Sequence, residues 1–394
     1  MSTNSSKSTT TPETAELNKG YVPGLAGIPA AISSISYIDG QIGILEYRGY
    51  RIETLAAKSN FEEVCWLLMK GHMPTRMQLE SFRAHLAKHR QLPERMIKIL
   101  EAMPGAGHPM AALQAGLAAL GMFNQKPDFR HPDEVEEAWV RILAATPVII
   151  ATFERMRTGK DLVQPDPELN TAANFLWMIT GQKPDEFAAH VMDVALILHA
   201  DHEMNASTFA ARVVGSTEAD PYTVCSSAIG ALTGPLHGGA NEEVLNQLRE
   251  IPGPEHVVSW LDAKLAAKAK IMGFGHRVYK VKDPRATILQ GLATQLFAKL
   301  GSTPIYDTAV ELEKEMAKRV GTKGIAPNVD FFSGIVYSKL GIQTDMFTPL
   351  FGISRVAGYL AHLREQMQDN KLFRPGQIYV GAHELEYPEM RTRG

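Results

Sequence analysis

Apolar residues along most of this chain recur at intervals of three and four, the spacing of helices that bury one face. The exception comes early. ISYIDGQIGILEYRGY sets Asp39-Gly40 between β-branched and aromatic residues, the composition of a β-hairpin. In SNFEEVCWLLMKG, Asn60 is placed to cap a first turn, Glu63 follows three residues on, and Gly71 can close the last turn. Thr75 and Gln78 repeat the capping-box spacing, and Leu79, Phe82 and Leu86 then fall on one face. HPMAALQAGLAALGMF is rich enough in Ala and Gly to let another backbone come close, which predicts deep burial or a subunit contact. Further helices are predicted over 134–150, disturbed at Pro147, and over 185–204. More follow over 241–248, 257–272, 286–300, 309–320, 330–340 and 354–369. The pattern predicts a mainly α protein with β structure confined to the hairpin.

Composition narrows the function only by exclusion. The chain has 394 residues, 45% apolar and 21% charged, which is ordinary for a globular protein with room for two domains. Its formal charge of −3 argues against nucleic acid as a partner, so any anion site must be a local concentration of cations. No apolar run approaches eighteen residues, and no membrane span is predicted. Residues 1–20 are rich in Ser and Thr and carry Glu13 and Glu16 without Arg. A disordered tail is expected there, in place of a secretory or transit signal. Cys65 and Cys225 are the only cysteines, which points to a reducing compartment, and a cytoplasmic location is expected. Cys65 sits in an apolar helical run and is expected to pack.

Four polar stretches interrupt the helical pattern. ILHADHEMNAST spaces His199 and His202 to share a helix face. That pair suits a metal, a packed helix end or a substrate, although no further ligand set lies nearby and the spacing is not H-E-x-x-H. LTGPLHGGANEEV surrounds His237 with glycines just before a helix, which permits close approach to a ligand or simple exposure. IMGFGHRVYKVKDPRA puts bare backbone at Gly273 and Gly275 beside His276 and several cations. It serves either to bind an anionic, heterocyclic ligand or as a solvated basic segment. IAPNVDFFSGIVY places Asp330 as a helix N-cap, or as a carboxylate desolvated by Phe331 and Phe332 and so made more basic. Together, two imidazoles, one carboxylate and several guanidiniums can remove a proton beside a carbonyl and add the resulting enol to a keto acid.

Six blocks, DGQIGILEYRGYRIETLA, HADHEMNAST, GPLHGGANEEV, GFGHRVYKVKDPRA, APNVDFFSG and LFGISRVAGYLAH, occur in the order found in citrate synthases. Over about residues 24–381 the chain resembles that family in its shorter, bacterial type. The resemblance implies an all-helical two-domain fold. Residues 21–237 and 341–394 would form a large, dimer-forming domain, and 238–340 a small domain that closes over the site. It implies condensation of acetyl-CoA with oxaloacetate and hydrolysis of citryl-CoA, with no metal and no cofactor beyond the thioester substrate. It also implies roles. Asp330 would be the base, His237 would hydrogen-bond the thioester oxygen, and His276 would polarise the ketone. His202, Arg285 and Arg355 would hold oxaloacetate or citrate, with Arg374 donated across a homodimer that higher assemblies could contain. Ile271, Gly273, Phe274, Gly275, Arg277 and Lys280 would line the CoA site. Tyr359, where relatives often carry Trp, and Gly352, where Ala is common, depart from the family without touching this chemistry. The nearest rival is 2-methylcitrate synthase, which uses propionyl-CoA with the same residue set; a metal-dependent lyase or hydrolase and a helical scaffold are more remote.

Overall fold

A computed structural model describes residues 20–124, 127–129 and 131–393. The expected N-terminal tail lies outside these residues, apart from Gly20. The described residues divide into two units, 20–32 with 372–393, and 33–371. In the first, regular structure among the described residues is limited to the single 3-10 turns Pro23–Leu25 and Met390–Thr392.

The second unit opens with three short antiparallel strands, β1 (Ser36–Asp39), β2 (Ile44–Tyr47) and β3 (Tyr50–Arg51). Ser36 faces Tyr47 and Asp39 faces Ile44, so the predicted hairpin is present. Its connection is the four residues 40–43, longer than a two-residue Asp-Gly turn. Tyr47 is buried, and its hydroxyl donates to the Asp201 carbonyl at 2.8 Å.

Sixteen α-helices follow among the described residues. The first six are α1 (Ile52–Lys58), α2 (Phe61–Lys70), α3 (Arg76–His89), α4 (Glu94–Glu101), α5 (Pro109–Leu120) and α6 (Pro132–Arg157). Then come α7 (Thr171–Thr180), α8 (Glu186–His199), α9 (Ala206–Gly215), α10 (Pro221–Leu232) and α11 (Ala240–Arg249). The last five are α12 (Val257–Ala266), α13 (Pro284–Leu300), α14 (Pro304–Val320), α15 (Val329–Lys339) and α16 (Phe347–Gln368). The capping signals hold. The Asn60 side chain accepts from the Glu63 N–H at 3.1 Å, Gly71 is left-handed at φ 84°, and Thr75 with Gln78 forms a reciprocal capping box.

Several expected boundaries move, each for a local reason. α6 continues through Pro147 to Arg157, held by burial of residues 142–151 on all sides. α8 stops at His199. Beyond it Asp201 turns to Ser36 and Glu203 takes φ 49°, so His202 is not a helical neighbour of His199. α12 stops at Ala266, and Lys268 at φ 53° reverses the chain. The segment from there to Asp283 is thus loop, and it carries His276. α16 starts at Phe347, seven residues before the expected position.

α16 is the axis of the core. It packs against α2, α6, α8, α9 and α10, and nearly every side chain from Phe347 to Leu363 is buried. A helix with no solvated face must justify any charge it carries, and this one buries Arg355.

Candidate functional site

Two loops set the geometry of the candidate site. The segment Gly273–His276 lies against Ala326–Asn328 through three hydrogen bonds, two of them main-chain. The Gly275 N–H donates to the Ala326 carbonyl at 2.9 Å and the Asn328 N–H to the Gly273 carbonyl at 2.9 Å. The Asn328 side-chain amide donates to the Gly275 carbonyl at 3.0 Å, and Phe274 bridges to Pro327. Gly273 has φ 81°, and a Cβ there would sit 2.8 Å from the Phe331 ring, so only glycine allows the latch. The Phe274 ring meets Phe331 edge-on at 4.6 Å.

The latch decides what Asp330 does. Asn328, not Asp330, is the N-cap of α15: its side chain accepts from the Asp330 N–H at 3.0 Å. The Asp330 carboxylate is thereby released from capping, and among the described residues nothing hydrogen-bonds it. Burial beside Phe331 raises its pKa to about 6, against the lowering influence of Arg285.

The histidines are held in defined states. His276 Nδ1 accepts the Val278 N–H at 2.9 Å and the Tyr279 N–H at 3.3 Å. His237 Nε2 accepts the Ser207 N–H at 3.3 Å and lies 2.7 Å from the Ser207 hydroxyl. A main-chain N–H can only donate, so each ring carries its proton on the other nitrogen. Burial lowers both pKa values to about 4, helped by Arg285 at His276 and by Arg355 at His237. Both are therefore neutral donors near pH 7. His202 is buried, with Nε2 3.2 Å from the Tyr279 hydroxyl and its ring 5.3 Å from that of His276. Burial, then Arg285, pushes it well below the usual imidazole range.

Two buried guanidiniums complete the site. Arg285, at the start of α13, makes a two-pronged pair with Asp283 at 3.1 and 2.7 Å, and Asp283 also caps the helix. Arg355 is 1% exposed. Its Nε donates to the His199 carbonyl at 2.7 Å and its plane lies over Phe351 at 4.6 Å, yet no carboxylate among the described residues pairs with it. Burial lowers its pKa. A desolvated, unpaired cation is costly unless an anion arrives to meet it.

Of the predicted CoA residues, Ile271 and Gly273 are buried, Phe274 and Gly275 are half-buried, and Arg277 and Lys280 are exposed. The Lys280 N–H donates to the Gly40 carbonyl at 2.8 Å, tying this loop to the hairpin connection. Arg374 is exposed and belongs to the other unit. The His199–His202 pair does not act together: His199 Nδ1 donates to the Ala195 carbonyl at 2.8 Å inside the helix, and its ring packs edge-on against Phe351 at 4.7 Å. Both cysteines are buried and free, and burial raises their pKa values. No helix among the described residues is long and apolar enough to cross a membrane.

Sequence reasoning missed Ser207, Tyr279 and Asp283. Tyr279 and Asp283 lie inside a block already singled out for its charge, and Asp283 is its one acid. Ser207 had no signal, because its role exists only once α9 meets the His237 turn.

A helical scaffold that keeps an elevated carboxylate free among neutral imidazole donors and buried guanidiniums defines an acid–base enzyme for an anionic carbonyl substrate. The comparisons with known proteins give that class its family. The family model described as "Citrate synthase, C-terminal domain" matches residues 24–376. A citrate synthase from Synechocystis sp. is 54% identical over 376 residues, covering 95% of each chain. The crystal structure of citrate synthase from Pyrobaculum aerophilum superposes with a TM-score of 0.90 at 39% identity, covering 95% of each chain. That of citrate synthase from Thermoplasma acidophilum, a ternary complex with carboxymethyl coenzyme A and oxaloacetate, gives a TM-score of 0.89 at 35% identity, covering 94% of this chain and 99% of the other. The chain belongs to the citrate synthase family.

Proposed function

We propose that this site condenses acetyl-CoA with oxaloacetate and hydrolyses the resulting citryl-CoA to citrate and CoA. The observation that supports the residue roles is the set of three main-chain N–H groups, of Ser207, Val278 and Tyr279, that fix the tautomers of the buried, neutral His237 and His276. Asp330 removes a methyl proton from acetyl-CoA while His237 Nδ1–H hydrogen-bonds the thioester oxygen. Without that second contact the proton is far too weakly acidic for a carboxylate. The elevation of Asp330 from 3.8 to about 6 makes it a stronger base by about 3 kcal/mol. The enol carbon then forms a bond to the oxaloacetate ketone, whose oxygen becomes the citrate hydroxyl and is met by His276 Nε2–H. Water cleaves the thioester and CoA leaves as its thiol.

Arg355 and Arg285 hold the substrate carboxylates, with His202 beside them and Arg374 supplied by the partner subunit of a homodimer. Ile271, Gly273, Phe274 and Gly275 receive the CoA heterocycle, and Arg277 and Lys280 its phosphates. Residues 238–340 form the lobe that closes, carrying His276, Arg285 and Asp330 toward His202, His237 and Arg355. The packing of α13 on α15 and of α12 on α14 within that span supports its moving as one body. Closure excludes water and completes the site only when oxaloacetate is in place, so oxaloacetate binds first. We assign the enzyme to the cytoplasm.

Thiol release with acetyl-CoA and propionyl-CoA, each against oxaloacetate, pyruvate and 2-oxoglutarate, tests this reading. The highest kcat/KM is expected for acetyl-CoA with oxaloacetate. A preference for propionyl-CoA would make the activity 2-methylcitrate synthesis, and no release with any pair would overturn the assignment.

A further inference from the structure

α3 and α6 pack against each other, and where they cross three potential ligands converge. His85 and His89 are one helical turn apart, so both rings project from one face of α3. Glu137, in the second turn of α6, points between them. His85 Nε2 lies 2.7 Å from Glu137 Oε2, and His89 Nε2 lies 3.0 Å from Glu137 Oε1. All three ligand atoms are within 4.8 Å of one another, and the two rings are 5.1 Å apart, inclined at 50°.

The His89 contact is close but not a hydrogen bond. Its Nε2 is buried and has no aligned partner. A ring nitrogen buried against a carboxylate yet turned off its oxygen has its lone pair free for a third body. Zinc takes nitrogen and oxygen ligands at about 2.0–2.2 Å in a tetrahedron, which puts neighbouring ligand atoms roughly 3.3 Å apart. The two N···O separations, 2.7 and 3.0 Å, fall a few tenths of an ångström short of that figure, and no pair exceeds 4.8 Å, so small side-chain rotations suffice. The side chains of His85 and Glu137 are 37% and 33% exposed, which leaves an open edge for a water as fourth ligand.

Arg141, one turn beyond Glu137, donates to Glu137 Oε1 at 3.0 Å and is itself held by the Asn124 side chain. It engages Oε1, so Oε2, which faces His85 Nε2, is the oxygen that an ion set between the two would take; such an outer-shell contact orients a ligating carboxylate.

We infer that His85, His89 and Glu137 form a site for a divalent transition ion of the zinc class, clamping α3 to α6. The site shares no residue with the catalytic set, and its occupancy stabilises the fold and leaves the chemistry alone.

The test uses untagged full-length protein stripped with a chelator and titrated with Co²⁺ and then Zn²⁺. One Co²⁺ per chain with the intense visible absorption of a tetrahedral site is expected, and Zn²⁺ should displace it and raise Tm by several degrees. The double variant His85→Gln/His89→Gln should lose both the absorption and the Tm shift while keeping thiol release within about twofold. Glu137→Gln, close in shape, should weaken binding by about tenfold or more and guards against a double variant that fails to fold. No bound ion in the wild type, or unchanged stoichiometry and Tm shift in the variants, would overturn the site.

Discussion

Asp330 sits two residues past the cap of its helix, and that offset gives it a free carboxylate. Had it been the cap itself, the N–H groups of the first turn would have held its charge and made it a weaker base. Its pKa of about 6 also sets a pH signature. As the proposed base Asp330 must be ionised, whereas His237 and His276 stay neutral down to about 4. So kcat/KM is expected to be level above about pH 7 and to fall by about tenfold per unit below about 6. Asp330→Asn should lower kcat by about 10²–10⁴ and abolish that acid limb, with oxaloacetate binding retained in calorimetry. A limb that survives the substitution would place the base elsewhere. The residue types were legible from sequence because His, Asp and Arg clustered in Gly-rich interruptions. The tautomers were not, since they depend on N–H groups of Ser207, Val278 and Tyr279 that only the folded chain aims at the rings.

At the scale of elements, the latch between 273–275 and 326–328 matters more than either loop alone. Asn328 serves it twice, capping α15 and donating to the Gly275 carbonyl. Asn328→Ala should cost about 1 kcal/mol in denaturant unfolding through the lost cap. It should lower kcat by more than that implies, because His276 and Asp330 lose their common reference; equal proportional losses would reduce Asn328 to a cap. Helix interiors were readable from periodicity and caps, as at Asn60 and Thr75. The ends of α8 and α12 were not. Apolar spacing runs on past both helices, and the chain turns away with Glu203 and Lys268 at positive φ; the Glu203 N–H donates to the distant Ser36 hydroxyl, whereas past α12 the Ala269 N–H donates back to the Lys264 carbonyl. The early start of α16 was hidden for the opposite reason: burial on every face erases the polar stripe that marks where a helix begins.

For the whole molecule, the question is how a buried cation such as Arg355 is tolerated. In the proposed reaction its anion arrives with the substrate, so that binding and neutralisation would be one event. If Arg374 reaches across a dimer to the same anion, neither chain has a complete site by itself. Mixing Arg374→Ala protein with Arg355→Ala protein should then restore up to about a quarter of wild-type turnover. Half the dimers are hybrids, and each hybrid has one intact site. No recovery, with subunit exchange shown by labelled chains, would remove Arg374 from the partner's site.

The hydrogen bond from Lys280 to Gly40 has a consequence of its own. A Cβ at position 40 would collide with the Val278 carbonyl, so the hairpin connection and the His276 loop fit with nothing to spare. If residues 238–340 close as proposed, the connection would act as a doorstop for that lobe, since positions 40–43 are what the His276 loop rests on. Under that closure, substitutions at the connection would retune turnover from the rim of the enzyme, by changing the dwell time of the door and leaving its chemistry untouched.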